Sequence, residues 1–252
     1  MSMNVYDWPS YYEIAFSYQQ VNNQADFFEE ASRKFSQLQA KRFLDICCGP
    51  SPQLRELARR GYEAVGLDIN PRMLEYLKLK AKDENLKIET VEGDMNDFGL
   101  DKKCDFAFLL SGSLYVDSNK QFLRHLDCVA GALRGGGLYL LENFPLELFK
   151  DHKEDWTTTQ GEIEVKTLFE TKVIDELAEL YEDKLTLEIK KRDEREVYST
   201  TAITKNIAPQ ELTALLEANG KFRLVGWFEN LEFQPLKTTK GYNMVILKST
   251  LP

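Results

Sequence analysis

FLDICCGPSPQLRELARRGYEAVGLD, residues Phe43 to Asp68, decides how the rest of the chain is read. Its pattern predicts a short apolar strand (Phe43, Leu44, Ile46), a tight turn over Cys47 to Pro52, a helix from about Gln53 to Arg60, and a second apolar strand, Ala64 to Leu67, that ends on an acid. Strand, helix and strand in that order make a βαβ unit. The turn lies between a strand end and a helix start, where unpaired backbone N–H groups and the helix dipole favour a negatively charged ligand group. Gly49 lets the backbone come close to a ligand, because no Cβ stands in the way. Asp68 follows 19 residues later, at a strand end where a carboxylate can accept hydrogen bonds from the two hydroxyls of a ribose. These features point to a site for an adenosine-containing cofactor.

The alternation continues downstream. Asn70 and Pro71 open a helix with Met73, Leu74 and Leu77 on its apolar side. The strand Ile88 to Val91 leads into Glu92-Gly93-Asp94-Met95, and the nearly all-apolar strand Asp105 to Leu110 leads into Ser111-Gly112-Ser113, with Tyr115 just beyond. A helix from about Lys120 to Leu133 ends at Gly135 to Gly137, and the strand Leu138 to Leu141 delivers Glu142 and Asn143 to the same carboxyl-end rim. His125 reads as a packed or solvated residue of that helix rather than a base. A last helix, Pro209 to Ala218, precedes strands Phe222 to Phe228 and Tyr242 to Leu247. The 13 residues between those strands leave little room for a crossover helix, so the two should be antiparallel.

Two segments break the alternation. From about Lys150 to Asn206, GEIEVKTLFE, KLTLEIKK and REVYSTTAITK repeat with period two, the pattern of antiparallel strands with one face exposed. The N-terminal segment is dense in aromatics, and its stretch Gln24 to Leu38 carries Phe27, Phe28, Ala31, Phe35 and Leu38 at nearly helical spacing.

Composition narrows the partners. At 252 residues the chain can bury one sizeable core with an inserted piece. Its 41 acids against 32 bases give a net charge of −9, which disfavours nucleic acid and anionic membranes. The first residues are neither basic nor uniformly apolar, and no window approaches a membrane span, so a soluble, cytoplasmic protein is expected. Cys47, Cys48, Cys104 and Cys128 are too few and too irregular for a disulfide framework and have no zinc spacing; they read as reduced thiols, with no metal expected.

The run LDICCGPS resembles the first motif, close to LDxGxGxG, of class I S-adenosylmethionine-dependent methyltransferases, with Cys47 and Ser51 in place of two of its three glycines. DINPRML and the later Gly93-Asp94-Met95 are similar to the family's second and third strand ends, and LRGGGLYLLE to its LxPGGxxxxE. The resemblance implies a Rossmann-like, seven-stranded, mostly parallel sheet with a reversed last strand, plus an inserted antiparallel β subdomain. It divides the chain into an N-terminal helical lid (1–42), a methyltransferase core (43–149 and 207–252) and the insertion (150–206), which either caps the active site or forms a dimer interface.

For the cofactor, S-adenosyl-L-methionine, the resemblance implies Asp45, Cys47 and Gly49 at the methionine end, Asp68 at the ribose, and Ile69, Asp94 and Met95 at the adenine. Met73, Leu110, Ser111 and Tyr18 complete that set, and Tyr12, Tyr115 and Glu142 are expected to line the substrate cavity. The implied activity is methyl transfer to an N, O or C nucleophile of a small soluble molecule, by a monomer or a homodimer through the insertion. No catalytic residue is evident, since an already neutral amine needs no strong base. A non-catalytic cofactor-binding or scaffold protein on the same fold, and a nicotinamide-dependent oxidoreductase, are the alternatives.

Overall fold

The computed structural model describes residues 4–142, 144, 149–238 and 242–252; Asn143 lies outside them. Its strands are β1 (Arg42–Ile46), β2 (Glu63–Asp68), β3 (Ile88–Glu92), β4 (Cys104–Leu109), β5 (Leu133–Glu142), β6 (His152–Gln160), β7 (Ile163–Asp175), β8 (Leu180–Lys191), β9 (Glu194–Lys205), β10 (Phe222–Glu229), β11 (Gln234–Pro235) and β12 (Asn243–Ser249). Its α-helices are α1 (Pro9–Ala15), α2 (Val21–Phe35), α3 (Pro52–Arg59), α4 (Pro71–Asp83), α5 (Asn119–Ala132) and α6 (Pro209–Asn219), preceded by a 3-10 turn, Val5–Asp7.

The large sheet has the order β11-β10-β12-β5-β4-β1-β2-β3. β1 pairs in parallel with β2 and β4, and β12 runs antiparallel to both β5 and β10. This is the expected seven-stranded sheet with one reversed strand, lengthened at its edge by the two residues of β11. The chain leaves β1 toward β2 on one side and returns to β4 on the other, so β1 and β4 flank a crevice at their carboxyl ends, the usual ligand position in such sheets. One apolar cluster fills each face. Leu44, Val65, Leu109 and Phe122 belong to one, and Phe28, Phe43, Phe106 and Phe108 to the other. The rings of Phe28 and Phe108 stack there at 4.7 Å.

β6 to β9 form a separate four-stranded antiparallel sheet. The sequence pattern predicts three of its strands and omits β6. HKEDWTTTQ is exposed along nearly its whole length, so it carries no apolar alternation to read. β5 also begins earlier than the pattern predicts and runs through the three glycines. A Cβ on Gly135 would stand 2.4 Å from the Leu251 carbonyl oxygen, so these glycines let the C-terminus cross the strand closely. Among the described residues, no helix is long and apolar enough to cross a membrane.

His125 is fully buried on α5, its Nδ1 2.9 Å from the Met95 carbonyl oxygen and its Nε2 2.7 Å from the Tyr139 hydroxyl. One partner accepts from a ring nitrogen and the other donates to it, which suits the neutral imidazole. Burial lowers its pKa from 6.5 to about 4. The unfolded chain therefore takes up this proton at higher pH than the folded one, and stability falls as pH falls from about 6.5 toward 4, by up to about 3 kcal/mol. Urea unfolding of wild type and His125→Gln should show a difference that shrinks across this window; a constant difference would remove His125 as the cause.

Candidate active site

The turn after β1 takes a left-handed path at three residues, Cys47 (φ +58°), Gly49 (φ +51°) and Ser51 (φ +35°). Cys47 and Ser51, where the resembling motif has glycine, thus adopt the backbone that glycine adopts readily, at a strain of about 1–3 kcal/mol each. Ser51 offsets its share with hydrogen bonds. Its hydroxyl donates to Asp45 Oδ2 at 2.5 Å and accepts from the Leu54 amide at 3.2 Å, capping α3. Burial pushes the Asp45 carboxyl well above the usual carboxylate range, and the Ser51 hydroxyl pulls the other way.

Asp68 ties the two strand ends together. Its Oδ2 accepts from the Gly49 amide and its Oδ1 from the Asn70 amide, each at 2.8 Å. Burial raises its pKa, against the pull of the Asn70, Gly49 and Ile69 amides. Each oxygen keeps a second lone pair for a ligand hydroxyl, and Gly49 presents no side chain beside it, so the residues fit the ribose of an adenosine cofactor.

A cavity of about 440 Å³ opens at this turn, lined by Asp45, Cys47, Gly49, Gln53, Leu110 and Ser111 among others. A second, of about 940 Å³, lies between the N-terminal segment, the β4 and β5 loops and the four-stranded sheet; Tyr18, Tyr115, Glu142 and Asp183 line it. Tyr12, Phe16, Gln19, Ser111 and Ser113 line both. Asp68, Ile69, Met73, Asp94 and Met95 lie outside these two linings, on the β2 and β3 side of the turn. Over that side the N-terminal residues fold down. Asn70 Nδ2 donates to the Tyr6 carbonyl oxygen at 3.0 Å, and the Tyr12 ring lies 3.9 Å from where a Gly49 Cβ would stand. Met73 is buried with its sulfur equally close to that point, and Ile69 is 67% exposed. Asp94 is exposed and accepts from the Asn96 amide at 2.8 Å, while Met95 is buried with its sulfur 3.6 Å from Cys47 Sγ.

A closed ring of side chains joins the walls. Ser111 donates its amide to Glu142 Oε2 at 2.7 Å, Gln24 Nε2 donates to Glu142 Oε1 at 2.9 Å, and Gln53 Nε2 donates to the carbonyl oxygens of both Gln24 (2.9 Å) and Gln19 (2.8 Å). Gln19 Nε2 then donates to Ser111 Oγ at 2.8 Å and closes the ring. Tyr242 adds its hydroxyl to Glu142 Oε1. The three glutamines are absent from the sequence expectations, although Gln24 carried a readable sign: it is a polar residue on the apolar stripe of Phe27, Phe28 and Ala31.

The N-terminal segment is fastened from outside as well. Glu13 of α1 pairs with the buried Arg55 and accepts from the Tyr76 hydroxyl at 2.6 Å. Trp156 Nε1 of β6 donates to the Ala15 carbonyl oxygen at 2.7 Å. Val5, Ile14 and Ala15 share an apolar cluster with Val165, Leu185, Leu187, Ile189 and Tyr198 of the four-stranded sheet.

Against known proteins, residues 43–137 match the family model of a methyltransferase domain. Over these residues the chain is similar to methyltransferase domains. YqeM of Bacillus subtilis (strain 168), whose name also carries the word methyltransferase, is 26% identical over a match of 142 positions that covers 50% of this chain and 57% of YqeM. The chain thus spans little more than half the length of that relative. The crystal structure of an S-adenosylmethionine-dependent methyltransferase from Clostridium acetobutylicum ATCC 824 superposes with a TM-score of 0.77 at 14% identity, covering 94% of this chain and 95% of that one. The sugar N-methyltransferase KedS8 from Streptoalloteichus sp ATCC 53650 gives 0.72 at 18% identity, covering 98% and 93%. Both likenesses extend the shared fold beyond residues 43–137 to the N-terminal segment and the four-stranded sheet.

Proposed function

We propose that this chain is an S-adenosylmethionine-dependent methyltransferase acting on a small polar molecule. The observation that carries this reading is the pair of cavities with common walls: the smaller reaches the turn of Asp45, Cys47 and Gly49, the larger lies under lid and inserted sheet, and Tyr12, Phe16, Gln19, Ser111 and Ser113 border both. Bound at the turn, S-adenosylmethionine supplies an electrophilic methyl carbon on a sulfonium sulfur. Asp45 and the Gly49 turn would hold its methionine end, Asp68 its ribose, and Ile69, Asp94 and Met95 its adenine. The chain's further contribution is to position the acceptor's nucleophile and keep water out, and the lid latched by Glu13 and the inserted sheet above the larger cavity suit both tasks.

Thermal unfolding with S-adenosylmethionine, S-adenosylhomocysteine and NAD tests the reading. A ligand of the native state adds about 2.7 kcal/mol of stability at a hundredfold excess over Kd. A rise with the first two and none with NAD is expected, and a rise with NAD alone would overturn the proposal.

A further inference from the structure

Asp183 is one of the carboxylates that line the larger cavity, and the proposed function gives it no role. Asp183 sits on the inward face of β8, in register with Thr171 of β7, and lines this cavity from the inserted sheet. Two hydroxyls fix its orientation: Thr171 donates to Oδ1 at 2.6 Å and Thr204 to Oδ2 at 3.0 Å. Among the described residues no salt bridge reaches it, and Lys205 in the same wall is engaged by Glu179 and Glu211. A half-buried carboxylate with neutral donors and no cation keeps much of its negative potential for whatever enters the cavity.

The rings around it suit the same kind of guest. Tyr6, Tyr12, Phe16, Tyr115 and Trp156 line the cavity. The Tyr6 and Tyr115 hydroxyls meet at 3.0 Å, the Tyr12 and Phe16 rings at 4.6 Å, and the Phe16 and Trp156 rings at 5.6 Å. Aromatic faces attract cations, and a fixed carboxylate adds a directed, charge-assisted hydrogen bond. The glycine turn and the strand-end acids Asp68 and Asp94 are absent from this lining, which meets the expected cofactor set only at Ser111 and Tyr18, so a cation recognised at Asp183 is assigned to the acceptor and not to the cofactor.

We infer that Asp183 is a specificity residue that anchors a protonated amine of the methyl acceptor, the substrate class being small amines. This deepens the methyltransferase reading and rests on it for the word acceptor. It accounts for a carboxylate kept at the inward face of a sheet whose other inward residues on β8 are Tyr181, Leu185, Leu187 and Ile189.

The test compares the full chain with its Asp183→Asn variant, which keeps the side-chain shape and removes the charge. Each protein, with and without S-adenosylhomocysteine, is titrated by tryptophan fluorescence with D-glucosamine and phenethylamine and with the N-acetyl derivative of each. Wild type should prefer at least one amine over its acetylated partner by about tenfold or more, and Asp183→Asn should lose that preference while binding S-adenosylhomocysteine as wild type does. No preference in wild type, or the same preference in Asp183→Asn, overturns the assignment. The S-adenosylhomocysteine titration reports on the methyltransferase reading separately: if it fails while the amine preference holds, that reading falls and Asp183 stands as an amine site.

Discussion

Asp68→Ala should lower the affinity for S-adenosylhomocysteine by roughly a hundredfold or more, because two hydrogen bonds to a charged acceptor, each worth about 1.5–3 kcal/mol, would be lost together. The carboxylate does two jobs at once. It accepts from the Gly49 and Asn70 amides at 2.8 Å, and its remaining lone pairs are the candidate partners of the ribose hydroxyls. Alanine frees both amides and loosens the turn that the cofactor must meet. Asp68→Asn keeps one oxygen acceptor and should fall between the two, so isothermal titration of the series separates lost charge from lost turn geometry. Wild-type affinity in Asp68→Ala would detach this residue from the cofactor.

Glu142→Ala should cost about 3–5 kcal/mol of stability, since it strands three donors at a largely buried site and each stranded donor costs about 1–3 kcal/mol. Glu142 is 4% exposed and receives the Ser111 amide, Gln24 Nε2 and the Tyr242 hydroxyl. The ring it closes sets the positions of Gln19, Ser111 and Gln53, all of them in the wall of the smaller cavity. Cofactor affinity should therefore fall with stability. Glu142→Gln keeps one acceptor oxygen and should lose less of each; thermal unfolding alone and with S-adenosylhomocysteine reads both effects. A stability change below about 1 kcal/mol in Glu142→Ala would show that the ring closes without this carboxylate, a surface-like outcome for a buried group.

Much of the architecture was readable because it rests on local pattern. β1, α3 and β2 fall within one residue of the limits that apolar runs and the glycine turn suggest, and the short link after Phe228 foretold the reversed β12. β6 escaped because its side chains face water along nearly the whole strand. The early start of β5 escaped because three glycines read as a stop, and only the C-terminus passing over Gly135 shows why they stay extended. The glutamine ring and Asp183 escaped for a different reason. Gln19, Gln24, Gln53, Ser111 and Glu142 come from five separate segments, and their partnership exists only once the sheet has brought its carboxyl ends together. Asp183 looks like any acid on a half-exposed strand until the face it occupies is known.

The apolar cluster shared by residues 5–15 and β7 to β9 also bears on how the chain reaches its native state. The inner face of the four-stranded sheet has Val5, Ile14 and Ala15 as packing partners, at least 150 residues away in sequence (Ala15 to Val165). Residues 5–15 leave the ribosome before β7 to β9 and must therefore wait for residues up to about Tyr198 before they can bury their side chains. Contacts of such long range are slow to form and leave apolar strands exposed in the meantime. Docking of residues 5–15 is then a late folding event, and a chain lacking them would leave Val165, Leu185, Leu187 and Ile189 facing water, with aggregation as the consequence.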